Sequence, residues 1–367
     1  NDPALILQEK MNFVFIVQGE GRGHMTQAIA LSKMLRKNNH TLSKIIIGTS
    51  PSRSIPEYFI RKIGAPVIQL ESPNFVKDKK QKSVNLSLTL FQTLWKSNTY
   101  RKNIKILSHI IADENPDVII NFYDFLAGFY NFWYRPKSKF ICIAHQYLIS
   151  HPQFTFPKGK IMDRMILKLA NHITRLNADK VLALSFQYFK ESMTKNIIVT
   201  PPLLRDEVLE LNIKTEDYLL IYIVNAGYGE EIESFHRKNP HIPLICFWDN
   251  DKKPSKYVIC ENLIFHQLND QLFSEKMAAC KGFVTTAGFE SVCEAMYLGK
   301  ATLMIPVKGH YEQACNAIDA AKAGAGITGS SFDLTPLFDY FPQHKNIKNR
   351  FQPWVAKGEN IFIQHLT

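Results

Sequence analysis

The sequence predicts an α/β protein built of two doubly wound domains in tandem, with a cleft between them. Three observations predict it. The chain has 367 residues and is 46% hydrophobic, too long for one comfortable core and suited to two domains of ordinary size. Short apolar runs alternate with helically spaced apolar residues from end to end, the pattern of a parallel sheet covered on both faces by helices. The alternation is interrupted at Pro201-Pro202 and then restarts. Prolines end regular structure, so the boundary is placed there. An N-terminal domain is expected over residues 1–200, a second domain over 201–345, and a C-terminal segment, 346–367, packing back on the first domain.

The elements follow in order. Asn12–Gln18 (NFVFIVQ) reads as a short buried strand, then a glycine-rich turn. Ala28, Leu31 and Leu35, flanked by Ile29 and Met34, recur at helical spacing. Lys44–Gly48 and Pro66–Leu70 read as strands, and residues 84–111 as helical with a break near Ser97–Thr99. Asp117–Asn121, Lys139–Ala144 and Lys180–Leu184 are further strands. In the second half, strands are expected at Tyr218–Val224, Ile242–Phe247, Leu263–Phe265, Gly282–Thr285 and Thr302–Ile305, and Phe351–Leu366 has a helical look. Ligands of such sheets bind at the carboxyl ends of strands.

Composition narrows the setting. Cys142, Cys246, Cys260, Cys280, Cys293 and Cys315 show no CxxC spacing, so zinc and thioredoxin-like readings are unsupported. Most lie in apolar stretches, as reduced buried thiols do, which points to a reducing compartment. No segment reaches the roughly 18–20 apolar residues of a membrane span. Residues 1–10 are too polar for a signal peptide and read as an extension or an added remnant before Met11. The expected location is cytoplasmic, with peripheral placement at the inner face of the membrane as a further expectation.

The net charge of +11 is uneven: residues 1–200 hold 28 Lys+Arg and 13 Asp+Glu (+15), and residues 201–367 hold 16 and 20 (−4). A basic half attracts nucleic acid, anionic lipid headgroups or a phosphorylated substrate, and a solvated surface explains it as well. No RRM, KH, zinc-finger or helix-turn-helix signature is present, so a nucleic-acid partner is not expected. The same half carries the aromatic run Phe122, Tyr123, Phe125, Phe129, Tyr130, Phe132, Trp133 and Tyr134. With Lys and Arg nearby, this suits a lipid-linked acceptor at an anionic membrane surface. Packing of a crossover helix accounts for it at least as well.

Two glycine turns carry the chemistry. Gly19-Glu20-Gly21-Arg22-Gly23-His24 lies between a strand and a helix. Glycines let the backbone approach a ligand closely, and the helix N-terminus offers free amides to an anion. The run fails the dinucleotide fingerprint, because His24 stands where a glycine is required. An imidazole there is suited to general-base work, or it orders the turn. In the second domain, Thr286, Ala287 and Gly288 follow a strand. Ser291 and Glu294, three apart, share a face of the next helix. A hydroxyl near a helix start binds phosphate with backbone amides, and a carboxylate one turn on can accept both hydrogens of a ribose diol.

This constellation resembles the donor-binding segment of the GT-B glycosyltransferases, in particular the UDP-glycosyltransferase and MurG-like branches. Gly288, Ser291, Glu294, Pro306, Glu312-Gln313 and Asn316-Ala317 fill the places of that pattern. Gly19, Gly23 and His24 are in register with the MurG-like GGTGGH loop. The resemblance implies two Rossmann-like domains and inverting transfer of a hexosyl group from a nucleotide-diphosphate sugar, UDP being favoured, to an acceptor hydroxyl, with no metal or other cofactor. It further implies that Ser291 and neighbouring amides hold the diphosphate, Glu294 the ribose, and Glu312 and Gln313 the donor sugar. Asn225-Ala226-Gly227-Tyr228-Gly229 resembles the second phosphate loop, with Gly227 and Gly229 as donor contacts, and Phe265–Leu268 lies where the family's backbone meets the base. Gly21, Arg22 and Gly23 would form the acceptor or phosphate loop. The acceptor is a glycan, a lipid-linked group or a small molecule.

The sequence departs from the family in places. Thr286 stands where the plant-type branch has histidine, and Glu20 and Arg22 replace small residues. Asp124 lies in the region of the aspartate that supports the catalytic histidine, though its spacing is not clean. Asp249-Asn250-Asp251 is a DxD sequence that could take Mg²⁺ or Mn²⁺, and a charge-mixed turn before Lys252-Lys253 explains it equally well. Two alternatives share the fold: a nucleotide-sugar 2-epimerase and a non-catalytic nucleotide-sugar-binding subunit.

Overall fold

The computed structural model describes residues 9–73, 97–189, 197–250 and 252–367. Its strands form two seven-stranded sheets, one per half of the chain. In the first half the elements are β1 (Asn12–Gln18), α1 (Arg22–Lys37), β2 (Thr41–Thr49), α2 (Glu57–Ile63), β3 (Val67–Glu71), α3 (Ser97–Glu114), β4 (Val118–Phe122), α4 (Phe125–Tyr134), β5 (Lys139–Ala144), α5 (Ile161–Thr174), β6 (Lys180–Leu184) and β7 (Ile197–Thr200). After the linker come α6 (Asp206–Leu209), β8 (Leu219–Tyr222), α7 (Gly229–Lys238), β9 (Leu244–Trp248), β10 (Lys256–Cys260), β11 (Leu263–Gln267), α8 (Asp270–Ala279), β12 (Gly282–Thr285), α9 (Phe289–Tyr297), β13 (Ala301–Met304), α10 (Tyr311–Ala323) and β14 (Gly326–Thr328). Three helices follow: α11 (Thr335–Tyr340), α12 (Lys348–Ala356) and α13 (Gly358–Leu366).

The strand orders are β3-β2-β1-β4-β5-β6-β7 and β10-β11-β9-β8-β12-β13-β14. Neighbours are parallel except the β10–β11 pair. β1 shows why the central strands are legible. It is buried from Phe13 to Val17 and flanked on both sides, Ile16 lying opposite Ile46 of β2 and Asn121 of β4. A strand covered on both faces reads as a continuous apolar run. The order reverses between β1 and β4 in one sheet and between β8 and β12 in the other. The loops after these four strands therefore open at the two switch points, where an open parallel sheet leaves a crevice.

The structure extends and corrects the sequence reading at several elements. β7, β10 and β14 are additions to it. Each is three to five residues long and lies at a sheet edge. Of the stretch 84–111, the described part is helical from Ser97, and residues 84–96 lie outside the described residues. Pro201-Pro202 follows the last strand of the first sheet, and Pro201–Arg205 is buried.

The C-terminal helices pack back on the first domain. Phe351, Trp354, Phe362, Ile363 and Leu366 join its core. Trp354 Nε1 donates to Ser185 O at 3.2 Å, and Lys180 Nζ to His365 O at 2.8 Å. The same core runs on into Phe289, Val292, Cys293 and Met296 of α9 and Tyr311 and Cys315 of α10, so the two halves meet through apolar contact beneath the cleft. The six cysteines are free thiols, all buried except Cys260. Among the described residues no helix is long and apolar enough to cross a membrane.

Candidate functional site

A cavity of about 680 Å³ lies between the two sheets. From the first domain it is lined by Gly21, Arg22 and Gly23 at the start of α1, together with Arg53, Tyr58, Arg61 and Lys62. From the second domain come Asn225 after β8, Thr286, Gly288, Glu290, Ser291 and Glu294 around the start of α9, and Gln313 of α10. Two helix N-termini thus face one space. Neither α1 (N-cap Gly21) nor α9 (N-cap Gly288) has a side-chain cap, so first-turn amides stay open to an anion. The four cations of the first-domain wall suit a diphosphate.

The turn before α9 is built tightly. Ala287 adopts a left-handed backbone (φ 62°), and Asn316 Nδ2 of α10 donates to its carbonyl at 3.2 Å. Ser291 Oγ donates to Gly288 O at 3.2 Å. Gln313 Oε1 accepts from Val307 N at 2.8 Å. Thr286, Gly288, Ser291, Glu294 and Gln313 therefore share one wall, whereas Ala287 is fully buried behind it.

Other expected positions fall elsewhere. Gly227 and Gly229 are not among the cavity-lining residues. The amide of Gly227 donates to Asn225 Oδ1 at 2.9 Å, and a Cβ on Gly229 would stand 2.8 Å from Trp248. The wall there is made by Val224 and Asn225 instead. Glu312 also lies outside the lining: Gln146 Nε2 donates to its Oε1 at 3.0 Å, and burial pushes its carboxyl up to about 7. Of the DxD run, Asp249 lines the cavity, and Asp251 lies outside the described residues. Among the described residues, no cluster of three or more His, Cys, Asp or Glu side chains could hold a metal ion. Leu268, at the end of the expected base-recognition segment, lines the cavity.

Arg205 is among the site residues that sequence reasoning misses, with Arg53, Arg61, Lys62 and Glu290 of the same lining. The buried Arg205 guanidinium forks onto Glu294, Nε donating to Oε1 at 2.8 Å and Nη2 to Oε2 at 2.9 Å. It also pairs with Asp270, whose other oxygen takes Lys62 Nζ of the first domain at 2.5 Å. The chain Lys62–Asp270–Arg205–Glu294 ties the two domains along the cavity. A lone arginine shortly after a Pro-Pro pair has no periodic signature, so only the fold reveals it.

His24 is buried and stacks on Tyr123, with ring centroids 5.7 Å apart. Burial lowers its pKa from 6.5 to about 4, so the imidazole is neutral at physiological pH with a lone pair free, though in this buried setting it is a weaker base than a solvated histidine. Nδ1 lies 3.2 Å from Gln27 Oε1 and Nε2 lies 3.3 Å from Gln146 Nε2.

Asp124, expected beside His24, is engaged elsewhere. It is the N-cap of α4: its Oδ1 accepts from Ala127 N at 3.2 Å and from Ser72 Oγ at 3.1 Å. Its Oδ2 packs on Gly48, where a Cβ would stand 1.9 Å away. Burial raises its carboxyl to about 6. The place beside Nδ1 belongs to Gln27, which shares a helix face with His24.

The family described as Glycosyl transferase family 1 matches residues 11–341. Over 359 residues the chain is 23% identical to the UDP-N-acetylglucosamine--N-acetylmuramyl-(pentapeptide) pyrophosphoryl-undecaprenol N-acetylglucosamine transferase of Thermoanaerobacter sp. (strain X514), covering 89% of this chain and 88% of that protein. The fold is shared with Arabidopsis thaliana UGT89C1 complexed with quercetin: TM-score 0.65, 13% identity, 98% of this chain and 100% of that one. It is also shared with Acinetobacter baumannii MurG: TM-score 0.57, 15% identity, 97% and 99% covered.

Proposed function

The chain belongs to glycosyl transferase family 1, and from that premise we propose that it moves a hexosyl group from a UDP-sugar to an acceptor hydroxyl, with inversion and without a metal. One observation carries this reading: two uncapped helix N-termini, one preceded by the Thr286–Gly288 turn and the other bearing His24, face a single cavity with four first-domain cations on its wall. As the glycosidic bond breaks, charge grows on the diphosphate. The amides of α9 with Arg22, Arg53, Arg61 and Lys62 stabilise it, which removes the need for a divalent ion. His24 Nε2 takes the proton of the acceptor hydroxyl, which enters where Gln146 Nε2 now stands, and the oxygen attacks the face opposite the leaving group. Glu294 would serve the ribose once Arg205 yields one of its oxygens.

The test is thermal stabilisation by UDP. Ligand at 100 times its Kd adds about 2.7 kcal/mol, so the melting temperature should rise, equally with and without EDTA. No shift with UDP, or a shift that EDTA removes, would contradict the reading.

The acceptor is read as a lipid-linked group met at an anionic membrane surface. The support is α5. Ile161, Met162, Met165 and Leu169 are 57–75% exposed on one helix face, with Lys158, Lys160 and Lys168 exposed beside them. Such a basic-rimmed apolar stripe suits the headgroup boundary. The inner face of α5 backs the base, since Asn171 accepts from Tyr123 OH at 2.6 Å and donates to Gln146 O at 2.6 Å. In the aromatic run, Phe132, Trp133 and Tyr134 are exposed and the rest is largely core. The protein should float with anionic vesicles at low salt, and Met162→Glu with Met165→Glu should abolish flotation. A wild type that stays unbound would sink this part of the reading.

A further inference from the structure

A hydrogen-bonded chain runs through His24 from one glutamate of the second domain to another. Gln27 Nε2 donates to Glu290 Oε1 at 2.6 Å, and its Oε1 lies 3.2 Å from His24 Nδ1. On the far side His24 Nε2 lies 3.3 Å from Gln146 Nε2, which donates to Glu312 Oε1 at 3.0 Å. The directions follow from the ends. Glu312 accepts from the Gln146 amide nitrogen, so that nitrogen also presents N–H to His24 Nε2. Nε2 must then be the acceptor, Nδ1 carries the hydrogen and donates to Gln27 Oε1, and Gln27 Nε2 is left to donate to Glu290. Each bond fits the tautomer a general base needs, with its lone pair on Nε2.

Both terminal glutamates belong to the second domain, Glu290 on α9 and Glu312 on α10, while His24, Gln27 and Gln146 belong to the first. The residue beside Glu290 also crosses: Phe289 stacks on His145 at 3.9 Å. Gly23 stands against Glu290, where a Cβ would lie 3.5 Å from its Cγ. We propose that Gln27 is the positioning residue of His24, and that Glu290 holds Gln27 from across the cleft, so that the base takes its working tautomer only when the two domains are together. The proposal rests on His24 being the base. It makes domain closure a condition of proton removal, and so protects the donor from attack while the cleft is open.

Gln27 is 2% exposed and is not among the cavity-lining residues, which separates its role from donor binding. Gln27→Leu should lower kcat by about 10²-fold while UDP affinity changes less than about 2-fold. Gln27→Glu keeps an acceptor for Nδ1–H. Glu290, whose carboxyl burial raises to about 8, then donates its proton across the cleft in place of accepting from Gln27, so below that pH the variant should restore most of the turnover and move the acid limb of kcat/KM upward by about one pH unit or more, because a carboxylate favours the charged imidazole. The titratable groups around His24 are Tyr123 against its ring, Glu290 behind Gln27 and Glu312 behind Gln146, and of these only Glu290 meets a changed neighbour in that variant. Glu290→Leu should lower kcat, and the Gln27→Leu, Glu290→Leu double variant should be no slower than the slower single one. Melting curves check that each variant folds.

Gln27→Leu with kcat within about 3-fold of wild type, an unmoved acid limb in Gln27→Glu, or multiplicative losses in the double variant would each overturn the proposal. His24→Ala run beside them separates the two levels. If it turns over like wild type, the base assignment fails and the proposal with it. If it is inactive while Gln27→Leu is not, only the positioning role fails.

Discussion

Replacing His24 by Ala is expected to lower kcat by about 10²- to 10⁴-fold, the usual worth of a general base, while the Kd for UDP stays within about 2-fold because the side chain is not part of the cavity wall. Steady-state kinetics and a UDP titration on the same preparation check this. The contrast is Asp124→Asn, which should keep turnover within about 3-fold. Asparagine retains the capping oxygen that Ala127 N and Ser72 Oγ donate to. It also removes a charge that the site disfavours. The folded carboxyl titrates near 6 against an ordinary value of 3.8. Between roughly pH 4 and 6 the folded state therefore holds a proton that the unfolded state has lost, and stability falls as pH rises through this window. Above it, the wild type carries a penalty of about 3 kcal/mol that Asn does not. Asp124→Asn should thus melt no lower than wild type at pH 8. A collapse of kcat without loss of stability would return Asp124 to the catalytic machinery.

Glu294→Ala is expected to cost about 3 kcal/mol of unfolding free energy, the low end for breaking a buried ion pair, and to abolish stabilisation by UDP. Arg205 and Glu294 side chains are 7% and 4% exposed. Removing the carboxylate leaves the guanidinium with Asp270 and Ser274 as its remaining partners. The bidentate geometry predicts that Arg205→Lys is also damaging, because an ammonium cannot span both oxygens of Glu294 while holding Asp270. Urea unfolding read by two probes checks the magnitude. A loss below about 1 kcal/mol would mean that the pair behaves as a surface bridge and that Asp270 alone suffices.

How far the sequence reveals this protein depends on which interactions are local. The central strands are legible because they lie between neighbours and are apolar along their length, as Phe13–Val17 and Ile45–Ile47 are. β10 is illegible for the opposite reason: Lys256–Cys260 is an antiparallel edge, mostly exposed, and carries no period. The turn 286–288 with Ser291 and Glu294 can be read because strand, turn and first helical turn are contiguous, and the cavity wall forms there. The His24–Gln27 pair is legible in principle, three residues apart on one helix. Gln146, Glu290 and Glu312 are not, because only the sheet order and the packing of one domain on the other bring them to this pair. The bonds concerned span 122 positions for His24–Gln146, 263 for Gln27–Glu290 and 166 for Gln146–Glu312.

Whether the chain transfers a sugar with inversion and without a metal is tested most directly by a single reaction. It combines the purified chain, a UDP-hexose, a lipid-linked hydroxyl acceptor in anionic vesicles, and excess EDTA. UDP release is followed in time, and the product's anomeric configuration is read by NMR. UDP release that requires the acceptor, proceeds undiminished in EDTA and yields the inverted anomer is the predicted result. Release that EDTA stops, or a product that keeps the donor's configuration, would contradict it.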